Sequence, residues 1–366
     1  MKFSVQREAI LKPLQLLGGV VEKRQTLPIL SNVLLDLRAD GLFITATDLE
    51  MEVVAKIQVN GDGLGSTTVP LKKLQDSCRA LIDGSLVHLD FAKEKAVLKS
   101  GKSRFSLVTL PAENFPVIDT KTDRFQFRVP QKVLKRLIEK TQFAMALQDV
   151  RFYLNGLLLE MDRDVVTTVA TDGHRLAKCQ AKIDVGIEER VRVIVPRKAV
   201  MELARLLEDV DDDVVVMIGE NFLRVVMPDI TFSAKLIDAQ YPNYEVVIPR
   251  GGDKILVADR ELLRSCLIRT SILSNEKYRG IRLEVGDNTL RAVANNPEQE
   301  EAEDEIEVNY NQLALVLGFN VAYLIDAMTA LDGEQVKMAF TDSSGSVLIS
   351  ANNDDSCEYV VMPMRL

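Results

Sequence analysis

At 366 residues, 47% apolar and 27% charged, the chain is too long for one ordinary core and has the makeup of a soluble globular protein of two or three domains. Its first residues, MKFSVQREAILKPL, are charged and alternating, which excludes an ordinary signal peptide, and no apolar run approaches the roughly 18 residues of a membrane span. A net charge of −9, taken alone, argues mildly against nucleic acid.

In chain order, FSVQREAIL predicts a short strand running into a helix over 7–24, kinked at Pro13. LSNVLLDLRADGLFITATDLE (Leu30 to Glu50) alternates apolar and polar residues about a turn and reads as two half-buried strands. VPLKKLQDSCRAL predicts a helix over 69–81 with Pro70 in its first turn, and FSLVTLPAENFP, from Phe105, closing strand structure. The same order then returns: FRVPQKVLK (helix 130–146), LNGLLLEMDRDVVTTVATDGH, VPRKAVMELARLL (helix 195–208) and FSAKLIDAQYPNY. It returns once more as LVADRELLR (helix 258–270, capped by Asp259), YRGIRLEVGDNTLRAVANNPE, FNVAYLIDAMTAL (helix 319–331, capped by Asn320) and YVVMPMRL.

Thr47, Thr171 and Asn295 keep register at spacings of 124 and 124 residues, the mark of an internal repeat. The expected fold class is therefore α+β: three repeated domains, each with two helices and many short strands, over 1–120, 121–250 and 251–366. The boundaries fall in the polar stretches DTKTDR and PRGGDK.

The stretch VATDGHRLA, Val169 to Ala177, is the one that looks like chemistry. Its slot is filled by TDLE in the first repeat and NNPE in the third, so Asp172 belongs to a shared strand-end turn. Only Gly173, His174 and Arg175 are peculiar to the second repeat. A dyad of Asp172 and His174 would need a further base, nucleophile or metal ligand, and none is evident. GxGxxG, Walker A, HExxH and GxSxG motifs are all missing. The reading is a structural or partner-binding role without catalysis, cofactor or metal; a hydrolase or transferase is the alternative, and turnover would reveal it. His88, in VHLDF, reads as structural. Cys78, Cys179, Cys266 and Cys357 lie far apart without CxxC spacing and read as reduced, scattered residues of a cytosolic protein.

Charge is segregated by element. The six predicted helices carry a net +8 and the rest of the chain −17. Lys132, Lys135, Arg136 and Lys140 share one helix face, opposite Val133, Leu134, Leu137 and Ile138. Positive helices and negative strands suit a phosphate backbone on one side and solvent on the other, with little equipment for reading bases. Seven carboxylates crowd the ten residues from Glu298, among them Glu300, Glu301, Glu303 and Asp304, in the same repeat as the apolar pair Ile272 and Leu273. Near the end of the first repeat, LKSGKSRFSL carries Lys99, Lys102 and Arg104 interleaved with Phe105 and Leu107. These opposite charges predict a head-to-tail contact between copies, which must close into a ring or run on as a filament.

Three such repeats, with TLPILSN, VATDGHRLA, ILSNEKYRG, NNPEQEEAE and YVVMPMRL, together resemble the family of bacterial replicative sliding clamps, the β subunits of DNA polymerase III, over the whole chain. The resemblance implies a head-to-tail dimeric ring of six domains, with helices lining a hole for duplex DNA and sheets outside. It implies a non-catalytic, cytoplasmic processivity factor that binds duplex DNA without sequence specificity. Its partners would be the replicative polymerase subunit, a clamp loader and other proteins bearing a clamp-binding motif. By the same resemblance, Arg24, Lys72, Lys73, Gln148, Arg151, Phe152, Tyr153, Arg197 and Lys198 face DNA. A partner-peptide groove is implied at Leu154, Thr171, Gly173, His174, Arg175, Leu176, Pro242, Val247, Asn320, Tyr323 and Val360, with the tail Met362, Pro363, Met364, Arg365 and Leu366. His174 and Arg175 would serve as its rim and support. Phe152 stands where a tyrosine is familiar in the family, and Val246 where an arginine is.

Overall fold

The computed structural model describes residues 1–21, 27–92, 94–118 and 123–365. In the first repeat, β1 (Lys2–Gln6) runs into α1 (Arg7–Leu17). Then β2 (Asn32–Arg38), β3 (Gly41–Thr47), β4 (Met51–Ile57), β5 (Asn60–Asp62) and β6 (Gly65–Pro70) lead to α2 (Leu71–Arg79), and β7 (Leu86–Ala92), β8 (Lys95–Ser100) and β9 (Ser103–Val108) follow. The second repeat runs β10 (Asp123–Pro130), α3 (Gln131–Glu139), β11 (Gly156–Asp162), β12 (Val165–Thr171), β13 (Arg175–Lys182), β14 (Val191–Pro196), α4 (Arg197–Leu206), β15 (Asp213–Gly219), β16 (Phe222–Val226) and β17 (Ile230–Lys235). The third runs β18 (Lys254–Asp259), α5 (Arg260–Ser271), β19 (Gly280–Gly286), β20 (Thr289–Asn295), β21 (Glu301–Glu307), β22 (Leu315–Asn320), α6 (Val321–Ala330), β23 (Gln335–Phe340), β24 (Val347–Ala351) and β25 (Asp354–Val361). Among the described residues, only β5 has no counterpart in the other two repeats.

Local chemistry sets the helix ends. The Asp259 carboxylate accepts from Leu262 N at 2.8 Å and the Asn320 amide oxygen from Ala322 N at 3.0 Å, so both cap as their sequences imply. The helices are shorter than expected. α1 continues through Pro13 but stops at Leu17, before the pair Gly18-Gly19. α3 stops at Glu139: the Thr141 hydroxyl turns back onto the Leu137 carbonyl at 2.8 Å, and 142–144 tighten into a 3-10 turn.

Each repeat contributes two antiparallel half-sheets, and neighbouring repeats join them edge to edge. β17 pairs with β4, making the eight-stranded order β10-β15-β16-β17-β4-β3-β2-β6. β13 pairs with β25 in the same way, making β14-β11-β12-β13-β25-β24-β23-β18. The remaining halves stand separately as β5-β1-β7-β8-β9 and β21-β20-β19-β22. Because strands cross repeat boundaries, the compact units of the chain are not the repeats. One is Met1–Lys132 with Met201–Leu236; the other is Val133–Val200 with Ile237 onward. In the first unit Ile10, Leu14 and Leu17 of α1 are fully buried; in the second, Leu324 and Met328 of α6 are. The strands expected to be half-buried are more covered than that: Gly156 to Met161 is buried throughout. Residues beyond the sheet, Tyr241, Tyr244 and Ile248, pack over its second face.

The β13·β25 junction differs from the sequence reading in one covalent feature. Cys179 and Cys357 stand directly opposite one another, with Cα atoms 4.1 Å apart and their sulfurs bonded. The expectation of four reduced, scattered cysteines is thereby corrected. A separation of 178 residues hides the pair, because only the strand register brings the two together. Beside it, Glu358 accepts from Lys178 at 2.9 Å and from Arg250 at 2.6 Å. Burial pushes the Glu358 carboxyl up, but the bonds from Arg250 and Lys178 outweigh it and hold the group below its ordinary 4.5.

The basic stripe of α3 is also less free than its sequence suggests. Lys132 pairs with Asp211 at 2.6 Å, and Arg136 and Lys140 both pair with Asp332. Replacing Glu358 by Ala strands the largely buried Lys178 ammonium and is expected to cost about 3 kcal/mol in urea denaturation of the full chain. The Glu358 contribution is complete above the ordinary value of 4.5 and is lost as pH falls through the lowered one. The stability gap between wild type and Glu358→Gln should therefore narrow below that pH.

Candidate functional site

The strands β14, β11, β12, β13 and β25 lay an apolar surface on one face of their sheet. Leu158 stands opposite both Val169 and Ile194, and Leu176 opposite Val360. These residues form one buried cluster with Tyr241, Tyr244 and Ile248 from the segment after β17. Where that segment stops covering the sheet, a cavity of about 200 Å³ opens, lined by apolar and polar groups together. Its floor holds Leu154, Leu176 and Val360; its walls hold Tyr153, Pro242, Tyr244, Val247 and Met362.

The polar end is built on the turn between β12 and β13. Asp172 Oδ1 accepts from His174 N at 2.9 Å and Arg175 N at 3.0 Å, while the Thr171 hydroxyl accepts from Gly173 N at 3.1 Å. Gly173 has φ +90°, a conformation that strains any residue with a side chain, and a Cβ there would sit 2.9 Å from Arg151 Nη2, so the tip of that arginine would have to shift. Arg151 is clamped by Asp149 through Nε at 3.0 Å and Nη2 at 2.9 Å. The Arg151 hydrogen bonds bring the Asp149 carboxyl down to about 2. Arg175 is held in place by its own chain: it bonds Asp172, Asp326 and the Phe143 carbonyl, and its guanidinium lies 4.4 Å from the Tyr323 ring centroid. Tyr244 donates to Glu160 at 3.1 Å, and burial together with that carboxylate pushes its phenol up.

Of the implied groove residues, Leu154, Thr171, Gly173, Arg175, Leu176, Pro242, Val247, Val360 and Met362 line the cavity. His174, Asn320, Tyr323, Pro363, Met364 and Arg365 are not among its lining residues, and Leu366 lies outside the described residues. His174 contributes its carbonyl, which accepts from Met362 N at 3.0 Å, and Met364 N donates to Gly318 O at 2.8 Å, so two backbone bonds set the tail's path. Arg151 and Tyr153, assigned to DNA by resemblance, form part of the cavity wall. Gln148, Arg151 and Phe152 are exposed on a loop held by reciprocal bonds, both 2.9 Å, between Asp149 and Asn155. Arg197 is half-buried and donates to Met145 O at 2.9 Å; Lys198, Lys72 and Lys73 are exposed on their helices. Arg24 lies outside the described residues.

Sequence reasoning missed Asn243 and Tyr244 as lining residues. The signal was a comparison of QYPNYEVVI with the shorter NFPVI of the first repeat.

That comparison also explains why the cavity belongs to this junction. At β4·β17 the floor positions equivalent to Leu176 and Val360 are Glu52 and Ser233, which face each other. Ile118 N donates to Glu52 at 3.4 Å, and Phe115 and Ile118 are buried there. Desolvation pushes the Glu52 carboxyl up despite that bond and Arg224. A buried carboxylate bonded to the chain's own backbone is a poor floor for an apolar ligand. Gly173→Ala is expected to destabilise the chain by about 1 to 2 kcal/mol. In an Arg151→Ala background the steric part vanishes and the cost should fall to that of the positive φ alone, about 1 kcal/mol, read by denaturant titration in a double-mutant cycle.

Among the implied interface residues, Lys99, Lys102 and Arg104 are exposed, Phe105 is half-buried and Leu107 is already buried in its own chain. Glu298, Glu300, Glu301 and Glu303 are exposed; Glu303 pairs with Arg291 at 2.5 Å and Asp304 with Arg269 at 2.6 Å. Ile272 is 74% exposed just past α5, and Leu273 is half-buried.

Comparison with known proteins agrees over the full length. The chain matches the family descriptions "DNA polymerase III beta subunit, N-terminal domain" over residues 1–119, "central domain" over 128–243 and "C-terminal domain" over 245–365. It is 50% identical to the beta sliding clamp of Pseudomonas aeruginosa and 48% identical to that of Escherichia coli, covering 100% of each chain in both cases. A crystal structure of the P. aeruginosa subunit superposes with a TM-score of 0.98 at 49% identity, and one of Caulobacter crescentus pol III beta with 0.94 at 36%, both over 100% of each chain. A P. aeruginosa sliding clamp has also been solved bound to griselimycin, with a TM-score of 0.97 at 49% identity and 100% of each chain covered. The three repeats are thus three clamp domains, and the chain belongs to the DNA polymerase III beta subunit family, the beta sliding clamps.

Proposed function

We propose that this sliding clamp recruits its protein partners through the cavity at the β13·β25 junction, and that its copies close into a ring through β9 and β21. The clamp is a processivity factor with no catalytic role of its own: it holds a replicative polymerase on duplex DNA. The observation that carries the groove reading is the apolar floor of Leu154, Leu176 and Val360 beside a rigid polar turn. A short peptide with one or two large apolar side chains fits such a surface, anchored by burial, while Met362 adapts to the side chain it meets. Arg175 braces the turn through Asp172 while lining the cavity, and His174 forms the rim.

Ring closure follows from the bookkeeping of edges. β4, β13 and β21 are equivalent in the three repeats, as are β17, β25 and β9. Two of the three possible pairings are made within the chain, β4·β17 and β13·β25. The third needs another copy, with acidic β21 meeting basic β9 and Ile272 and Leu273 adding apolar area. Two chains joined in this way enclose the duplex. DNA contact then comes from Lys72, Lys73, Arg197, Lys198 and the loop bearing Gln148, Arg151 and Phe152, by charge and without base reading. Domain boundaries near residues 120 and 250 and a cytoplasmic location complete this reading; no helix among the described residues is long and apolar enough to cross a membrane.

Loaded by a clamp loader onto nicked circular DNA, the protein is expected to survive salt that strips an ordinary electrostatic binder, and to be released when the circle is cut. Equal retention on circular and linear DNA would contradict encirclement. Removing Met362 to Leu366 deletes one wall and both tail bonds. It should weaken a polymerase-derived peptide at least tenfold in calorimetry, while light scattering finds the dimer unchanged. Unchanged affinity would put the groove elsewhere.

A further inference from the structure

We infer that Cys179 and Cys357 are a reversible thiol–disulfide pair that locks the junction between the second and third clamp domains. The function assigned above places the chain among reduced cytosolic proteins, where a permanent disulfide is not expected. Yet the register of β13 and β25 sets these two residues face to face, with Cα atoms 4.1 Å apart. The ladder holds the two sulfurs within bonding reach of each other, so the state of the pair follows the surrounding oxidant and reductant.

The surroundings favour that chemistry. Arg136 Nη1 lies 3.7 Å from Cys179 Sγ, and a guanidinium beside the sulfur stabilises the thiolate that must act as nucleophile. Arg136 is itself fixed by Asp332 at 3.3 Å, Asp354 at 3.6 Å and the Ser356 hydroxyl at 3.1 Å. The Ser356 hydroxyl also lies 3.9 Å from Cys357 Sγ. All four cysteines are buried, but Cys78 and Cys266 are free thiols outside the β13·β25 ladder. Burial pushes the Cys78 thiol up to about 12 and the Cys266 thiol up to about 11, which keeps both protonated and inert.

With hydrogen peroxide as oxidant the steps balance. The Cys179 thiolate attacks one peroxide oxygen, the O–O bond breaks, and the leaving hydroxide takes a proton to become water. The resulting sulfenic acid is attacked by the Cys357 sulfur; the S–S bond forms, the S–O bond breaks and a second water leaves. Two thiols and one peroxide thus give one disulfide and two waters. A small dithiol reverses the reaction by exchange and departs as its own disulfide.

The bond lies three pairs along the same strands from Leu176 and Val360. An odd offset puts it on the opposite face of the sheet from the groove floor. Oxidation therefore pins the two strands that carry the floor without touching a bound peptide.

The test uses the full-length chain, reduced with dithiothreitol or treated with stoichiometric hydrogen peroxide, then denatured in N-ethylmaleimide and weighed. Four adducts are expected before peroxide and two after, with a Cys179–Cys357 cross-linked peptide in the digest and four adducts again after dithiothreitol. Four adducts after peroxide, or a cross-link through Cys78 or Cys266, would overturn the assignment. In Cys357→Ser no intrachain cross-link should form; one that did would overturn it equally. Hydrogen exchange then tests the lock: β13 and β25 amides should exchange at least tenfold more slowly in the oxidised chain, and equal rates would refute it.

Discussion

An edge strand of a β-sheet presents a row of unpaired N–H and C=O groups, and those groups must find partners. The architecture of this chain follows from how its three repeats meet that demand. No repeat completes its own sheets. Each offers one half-sheet to the repeat before it and one to the repeat after. Within the chain β17 takes β4 and β25 takes β13, which merges four half-sheets into two continuous sheets and cuts across the repeat boundaries. β9 and β21 are the edge strands whose equivalents elsewhere in the chain are paired. They also carry opposite charge, which favours β21 meeting β9 over β21 meeting a second β21.

Function is placed by the same constraint. A junction between half-sheets creates a seam on the outer face, and what covers the seam decides its use. At β4·β17 the chain covers it with Phe115 and Ile118 and puts Glu52 beneath. At β13·β25 the positions below are Leu176 and Val360, and the covering tyrosines stop short, so the seam remains open. Three equivalent junctions can thus diverge in role without changing the fold. The turn after β12 is specialised to match: glycine at φ +90° leaves room for Arg151, whereas Leu49 occupies the equivalent turn at φ +79°.

Much of this was legible in the chain itself. The spacing of Thr47, Thr171 and Asn295 exposes the repeat, because the strand that each residue ends recurs in every domain. Asp259 and Asn320 announced the starts of α5 and α6 through capping chemistry, which is local. What stayed hidden was non-local. The basic face of α3 looked free for phosphate, but Asp211 and Asp332, distant in sequence, neutralise much of it. Cys179 and Cys357 showed no spacing signal because a strand register, not a motif, unites them. Tyr244 went unnoticed because its value lies in covering a sheet face, which no sequence pattern announces. His174 drew attention as a rare residue, yet its backbone carbonyl is the atom the tail uses.

The central claim is that β21 of one copy pairs with β9 of another in the register of the two internal junctions. Val53 stands opposite Phe232 and Ala177 opposite Tyr359; the equivalent residues across copies are Ala302 and Phe105. The most direct measurement is therefore oxidative cross-linking of the Phe105→Cys, Ala302→Cys double variant, resolved on a denaturing gel. A single covalent species of two chains is the predicted result, because both junctions of a closed dimer cross-link at once. A ladder of growing oligomers would mean an open filament, and uncross-linked chains at micromolar concentration would mean that β9 and β21 do not meet.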